Sequence, residues 1–405
     1  MSRDDGPLRV VVAGTAFGRI YLDAVRASAG AFTLTGVLAK GSDFSRRLAE
    51  REGVPLYTAP EQVPDSTDIV CVVVRSGATG GPGSELARAF LRRGMHVLQE
   101  HPVHADEIVE NLRAARDGDA AYAVDTLYPD LAPVRAFLAA AATLRARGPL
   151  RFLDAACNSQ VAHPLLDVLG RAVGGPRPWA FGACHEPDAA LAAAAHGPQP
   201  FRTLHAVLGG VPATLRVQNQ VHPDDPDNHS FLLHRIALGT DAGVLTLADT
   251  HGPVLWNPRL HAPRDATGRL VLAGPGTERL AAASTTRLHR AAGSYHEVFA
   301  QLWPQAVLSA LHRLREAAAV PARRAAAGQW ALTVARCWTQ LTARLGMPEL
   351  IRPPEPPVVT ADELARASAG SPPGGGAPAG TAGTADPAAA PRRPAAAGPR
   401  GGREA

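Results

Sequence analysis

Across the first 130 residues, short apolar runs alternate with segments of helical periodicity. A chain satisfies that pattern by winding a parallel sheet with crossover helices on its faces. The runs are Leu8 to Ala13, Phe32 to Ala39, Asp68 to Val74, His96 to Gln99 and Ala121 to Asp125. Helices are expected near Arg19 to Ala27, Ser45 to Arg51, Ser84 to Arg93 and Ala105 to Arg116, with Gly94 placed to stop the third. After a helix from Leu131 to Arg147 the texture changes to longer alternating strands: Leu150 to Ala156, Trp179 to Cys184, Thr214 to Val221, Ser230 to Leu238 and Gly243 to Asp249. A helix at Pro164 to Ala172 interrupts them, so an α+β second domain with a largely antiparallel sheet is expected. Helices at Tyr295 to Ala318 and Ala322 to Leu345 close the folded part near Pro353. The rest is dominated by Ala, Gly, Pro, Ser, Thr and Arg, too poor in large apolar residues to pack.

Directly after the first strand comes Gly14-Thr15-Ala16-Phe17-Gly18-Arg19, leading into a helix. A pyrophosphate needs backbone N–H groups and a helix N-terminus at close range, and small residues grant that approach. The motif departs from G-x-G-x-x-G: Ala16 stands where a second glycine is usual, and the last glycine comes one place early. The second strand ends in Lys40-Gly41-Ser42-Asp43-Phe44-Ser45-Arg46. An acid there holds a ribose 2′-hydroxyl, whereas hydroxyls and cations suit a 2′-phosphate. Lys40, Ser42, Ser45 and Arg46 favour NADP(H) over NAD, with Asp43 discordant; the alternative is that Ser42 only caps the next helix. The expected organisation is a Rossmann-like NADP-binding α/β domain over 1–130, an α+β substrate-binding domain with C-terminal helices over 131–353, and a disordered tail over 354–405.

Hydrophobic residues make up 46% and charged residues 19%, ordinary for a globular protein, and no apolar stretch is long enough to span a bilayer. The start lacks a basic segment followed by a long apolar one, so a cytoplasmic protein is expected. Cys71, Cys157, Cys184 and Cys337 lie far apart without a C-x-x-C pair, which points to neither a zinc site nor a disulfide framework. The net charge of +4 comes almost wholly from arginine, without the basic run and interleaved aromatics that nucleic acid calls for.

Gln99-Glu100-His101-Pro102 resembles the Glu-Lys-Pro signature of the Gfo/Idh/MocA oxidoreductases, with histidine in place of lysine. In that family the lysine assists proton transfer during sugar oxidation, so the exchange counts against ordinary sugar dehydrogenation. A more specific resemblance is to the thiazolinyl imine reductases of siderophore biosynthesis. It runs through Phe17-Gly18, Gly41-Ser42, Pro55-Leu56-Tyr57-Thr58, Val73-Val74-Arg75-Ser76, Gly80-Gly81, Glu100-His101-Pro102, Tyr128-Pro129, Asp224-Asp225-Pro226-Asp227 with His229-Ser230, and Gly252-Pro253-Val254-Leu255-Trp256. The resemblance implies NADPH-dependent reduction of a thiazoline to a thiazolidine while the intermediate is tethered to a nonribosomal peptide synthetase. The expected partner is therefore that carrier domain, with no nucleic acid, no membrane, and a homodimer admitted.

Reducing C=N takes a hydride at carbon and a proton at nitrogen, and no metal. His101 and Tyr128 follow the fourth and fifth strands, where ligands collect in such sheets, and the resemblance points to both as catalytic acids. Gly14, Thr15, Ala16, Phe17, Gly18, Lys40, Gly41, Ser42, Ser45, Arg46, Arg75, Ser76 and Glu100 are expected to hold the cofactor. Asp167, Asp227 and His229 are weaker candidates for facing substrate. Two rivals stay open: a sugar or small-carbonyl dehydrogenase of the same broad family, and a non-catalytic NADP-binding sensor.

Overall fold

The computed structural model describes residues 6–74, 81–186 and 188–370. Its first strand, β1 (Leu8–Ala13), has Val10, Val11, Val12 and Ala13 fully buried, and a strand apolar on both faces needs cover on both. That cover comes from α1 (Gly18–Arg26), α2 (Asp43–Glu52), α3 (Pro82–Arg92) and α4 (Ala105–Asp117). With β2 (Phe32–Leu38), β3 (Leu56–Tyr57), β4 (Ile69–Val72), β5 (His96–Glu100) and β6 (Tyr122–Asp125), β1 forms a six-stranded parallel sheet in the order β3-β2-β1-β4-β5-β6. The chain reverses its direction of travel at β1 and β4, which opens a crevice at the C-terminal strand ends.

After α5 (Ala132–Arg147), a second sheet is built from β7 (Leu150–Asn158), β8 (Trp179–Cys184), β9 (Phe201–Leu208), β10 (Val211–Gln218), β12 (His234–Thr240), β13 (Gly243–Leu247), β14 (Val254–Pro258) and β15 (Thr286–His289). Its order is β15-β14-β13-β12-β7-β10-β9-β8, antiparallel except between β7 and β10. Alternation along β10, with Val211, Ala213, Leu215 and Val217 buried, sets one face against α6 (Ala162–Val173). The short helix α7 (Ala189–Ala194) and the strand β11 (Gln220–Val221) complete this part. The N-terminal domain is thus Rossmann-like, and the second carries a mixed, mostly antiparallel sheet.

The boundaries differ from expectation where side chains intervene. β12 begins at His234 rather than Ser230, because the Gln218 amide donates to the His229 carbonyl (2.9 Å) and accepts from Phe231 N–H (2.9 Å), taking the place of ladder bonds. α6 starts at Ala162, since Pro164 fits a first helical turn, and His163 joins the helix with it. β9 was not expected: Arg202 stands on the face that Leu204, Ala206 and Leu208 bury, so the apolar alternation runs through only part of the strand.

After α8 (Tyr295–Glu297) and a π turn, α9 (Trp303–Ala319) packs on α1, and α10 (Pro321–Leu345) packs on α4 and α6. These helices, expected with the second domain, thus return to the first. The two-residue β16 (Glu349–Leu350) pairs with β11. Residues 353–370 are a separate unit. Within this stretch, expected to be disordered, Ala361–Gly370 form a helix, α11, whose start is fixed by reciprocal bonds: Glu363 N–H donates to Thr360 Oγ1 (3.2 Å) and Thr360 N–H to Glu363 Oε2 (2.7 Å). No helix among the described residues is long and apolar enough to cross a membrane.

Candidate active site

The turn after β1 is shaped by its glycines. Gly14 sits at φ +107°, and a Cβ there would stand 2.0 Å from the Val73 carbonyl oxygen, so only glycine fits. Gly18 is buried against Val12 on the first turn of α1. Phe17 occupies the N-cap position, and no side chain caps the helix, which leaves its first amides without a side-chain partner for their partial positive charge. This strand–turn–helix fits the pyrophosphate of a dinucleotide.

At the end of β2, Lys40 is exposed and Gly41 turns at φ +79°. The site for a Cβ on Gly41 lies 3.8 Å from Arg46 Nη1, so the guanidinium folds back over the turn. Arg46 also meets Asp43 at 3.4 Å in a solvent-exposed pair of small worth. Ser42 caps α2, its hydroxyl accepting from Ser45 N–H (3.2 Å). Ser45 is 1% exposed and donates its hydroxyl to the Ser42 carbonyl (2.8 Å). Its side chain is therefore already engaged inside the turn, and Lys40, Ser42 and Arg46 form the rim that a 2′-phosphate would meet. Arg75 and Ser76 lie outside the described residues.

His101 follows β5, preceded by the half-buried Glu100, and Tyr128 follows β6. Both are set by Asp125, the last residue of β6. Its carbonyl accepts from His101 N–H (3.0 Å) and pairs with His101 Nδ1 (3.1 Å). Its buried carboxylate accepts from Tyr21 Oη (2.8 Å) and from Leu127 N–H (2.8 Å). The latter bond holds Leu127 at φ +59°, a strained value for a non-glycine residue, and that turn sends Tyr128 into the crevice. Burial pushes the Asp125 carboxyl up to about 6.

Hydrogen-bond direction fixes the histidine tautomer. A carbonyl only accepts, so the His101 proton lies on Nδ1 and Nε2 presents a lone pair. Enclosure pushes His101 down to about 4, so it is neutral at pH 7. His234 repeats the pattern: Nε2 faces the Val161 carbonyl at 2.9 Å, Nδ1 has no partner, and burial takes it down to about 4. The Tyr128 ring lies 6.2 Å from that of His101 and 4.7 Å from that of His234, edge to face. Tyr128 is 5% exposed, and burial raises its pKa above the ordinary phenol value. The three rings therefore bring together two nitrogens that can only accept and one hydroxyl able to donate.

His163, on the first turn of α6, stacks on His101 with ring centroids 5.9 Å apart and planes at 9°. Neither His163 nor His234 was expected here; only the fold shows that α6 and β12 begin beside the residues that follow β5 and β6. Asp167, a weaker candidate for substrate contact, is instead a buried hub: it accepts from Arg171 Nε (2.7 Å), Trp330 Nε1 (2.7 Å) and Thr126 Oγ1 (2.5 Å). His229 pairs with Asp225 (3.2 Å) and stacks on His222.

A crevice at the carboxyl ends of a parallel sheet, a glycine turn on a helix N-terminus and a proton donor opposite it define a nucleotide-dependent oxidoreductase. Residues 8–126 match the family model described as oxidoreductase family, NAD-binding Rossmann fold, and residues 150–257 match the one described as thiazolinyl imine reductase Irp3-like, C-terminal. The chain belongs to the Gfo/Idh/MocA oxidoreductases, with a second domain of the Irp3-like kind. No curated protein matches its sequence.

Solved structures share the fold. A 3-ketoreductase from Actinomadura kijaniata, in complex with NADP and TDP-benzene, superposes with a TM-score of 0.58 at 16% identity, over 86% of this chain and 100% of that one. An enzyme of gentamicin A biosynthesis in complex with NAD gives 0.56 at 14%, over 84% and 94%. An oxidoreductase from Agrobacterium radiobacter in complex with NAD+, L-tartaric acid and magnesium gives 0.57 at 10%, over 83% and 97%.

Proposed function

We propose that this chain reduces the C=N bond of a thiazoline to a thiazolidine, using NADPH, on an intermediate tethered to a carrier domain of a nonribosomal peptide synthetase. The match of the second domain to the Irp3-like model carries the choice of substrate, and the crevice supports it. Sugar oxidation asks for a group that takes and relays an alcohol proton, whereas the residue in the lysine position here is a neutral histidine pinned by Asp125.

Gly14, Gly18 and the uncapped start of α1 would hold the pyrophosphate, and Lys40, Ser42 and Arg46 the 2′-phosphate. When bound, the reduced nicotinamide supplies the hydride. Tyr128 supplies the proton. The nitrogen left after hydride addition is far more basic than a phenolate, so a phenol with a raised pKa still gives up its proton there. His101, through the Nε2 lone pair, accepts the N–H of the product and keeps the ring nitrogen beside Tyr128.

NADPH is expected to bind more tightly than NADH. Arg46→Ala should weaken NADPH by about tenfold or more, as the loss of one charge-assisted hydrogen bond implies, and leave NADH almost unchanged. Fluorescence titration of both cofactors checks this; equal affinities in the wild type remove the specificity.

A further inference from the structure

His163 is 2% exposed, and neither of its ring nitrogens has a hydrogen-bond partner. Buried polar groups are ordinarily satisfied by protein or by ordered water, and an orphan lowers stability. An imidazole kept without partners, stacked on His101, whose Nε2 makes no hydrogen bond among the described residues, marks a place for a ligand group rather than a packing element. Around it stand His101, edge-on Trp338 at 5.5 Å, and beyond His101 the Tyr128 hydroxyl, which has no hydrogen bond of its own among the described residues. No hydrogen bond joins His163 to His101 among the described residues, so two imidazoles with ring centroids 5.9 Å apart can be joined only through a third group.

We propose that His163 is a positioning residue of this site, holding one uncharged hydrogen-bonding group between itself and His101: a water in the resting enzyme and a heteroatom of the substrate in the complex. A neutral imidazole carries one N–H and one lone pair, so it serves a donor or an acceptor, and His101 offers the matching lone pair at Nε2. Burial takes His163 down to about 3, so it stays neutral at pH 7 and gives a carboxylate or phosphate no charge to pair with. The group held there is a neutral one, such as the ring sulfur or nitrogen of a thiazoline or a carbonyl beside it. This rests on the crevice being the reduction site; it adds a contact from the second domain to the acceptor His101 on the first.

The test has two arms. Crystals of the NADP-bound enzyme, at a resolution that shows solvent, are expected to place a water about 3 Å from a His163 nitrogen. In solution, His163→Phe and His163→Leu remove the orphan nitrogens, so melting temperature should hold or rise while NADPH-dependent turnover falls on the order of 10- to 100-fold. His163→Gln should recover part of that loss. A dry crevice overturns the proposal, and so does a lowered melting temperature in both apolar variants, or near wild-type turnover in either. If the wild type reduces no thiazoline, the proposed function fails, and the solvent density and melting curves still decide the role of His163.

Discussion

Tyr128→Phe is expected to slow imine reduction by about 10²- to 10⁴-fold, the usual contribution of a general acid, while NADPH affinity changes little. The hydroxyl is the only group of the Tyr128–His101–His234 trio whose proton is uncommitted among the described residues, because His101 and His234 commit theirs to the Asp125 and Val161 carbonyls. Removing it leaves no donor of fixed position. His101→Asn should cost less, since an amide can still face the product nitrogen. The pH dependence separates the two. His101 charges only near 4, so a rate carried by its protonated form would fall about tenfold for each unit of pH above that. A rate carried by Tyr128 stays level through neutrality. A steep decline from pH 5 to 8, or a double variant near the wild-type rate, would remove Tyr128 as the donor.

Gly14→Ala should abolish cofactor binding and destabilise the fold on the order of 3 kcal/mol or more. Two causes add: a φ of +107°, which L side chains rarely adopt, and a methyl group 2.0 Å from the Val73 carbonyl, part of the backbone that pairs β1 with β4. Gly30→Ala is the control. Gly30 has a φ of +85° with nothing within 4 Å of its Cβ position, so backbone strain acts there alone and should cost about 1 kcal/mol with cofactor binding retained. Thermal melting with and without NADPH reads both. Similar losses in the two variants would show that the clash at Gly14 is relieved by local movement.

The parallel sheet was legible because its strands are apolar on both faces and bounded by helices, as β1 and β4 show. The second domain was less so. β9 carries Arg202 on the face that its apolar residues bury, and β14 lies in a stretch that reads as a motif before it reads as a strand. His101 and Tyr128 could be found because strand-end position and resemblance agree on them. His163 and His234 could not, since each stands alone in sequence and gains meaning only where α6 and β12 meet the first sheet. The two serines after β2 show the opposite limit: they look equivalent in sequence, yet the helix start buries Ser45 and leaves Ser42 at the rim.

Direct assay decides the substrate. The full chain, NADPH and a thiazoline thioester tethered to a carrier domain are incubated together, with the absorbance of reduced nicotinamide and the mass of the tethered group followed in parallel. The expected result is consumption of NADPH matched by the gain of two hydrogen atoms on the thiazoline. An enzyme that leaves the thiazoline untouched while oxidising a sugar or reducing a sugar ketone would contradict the proposed reaction and place the chain among the carbohydrate oxidoreductases of its family.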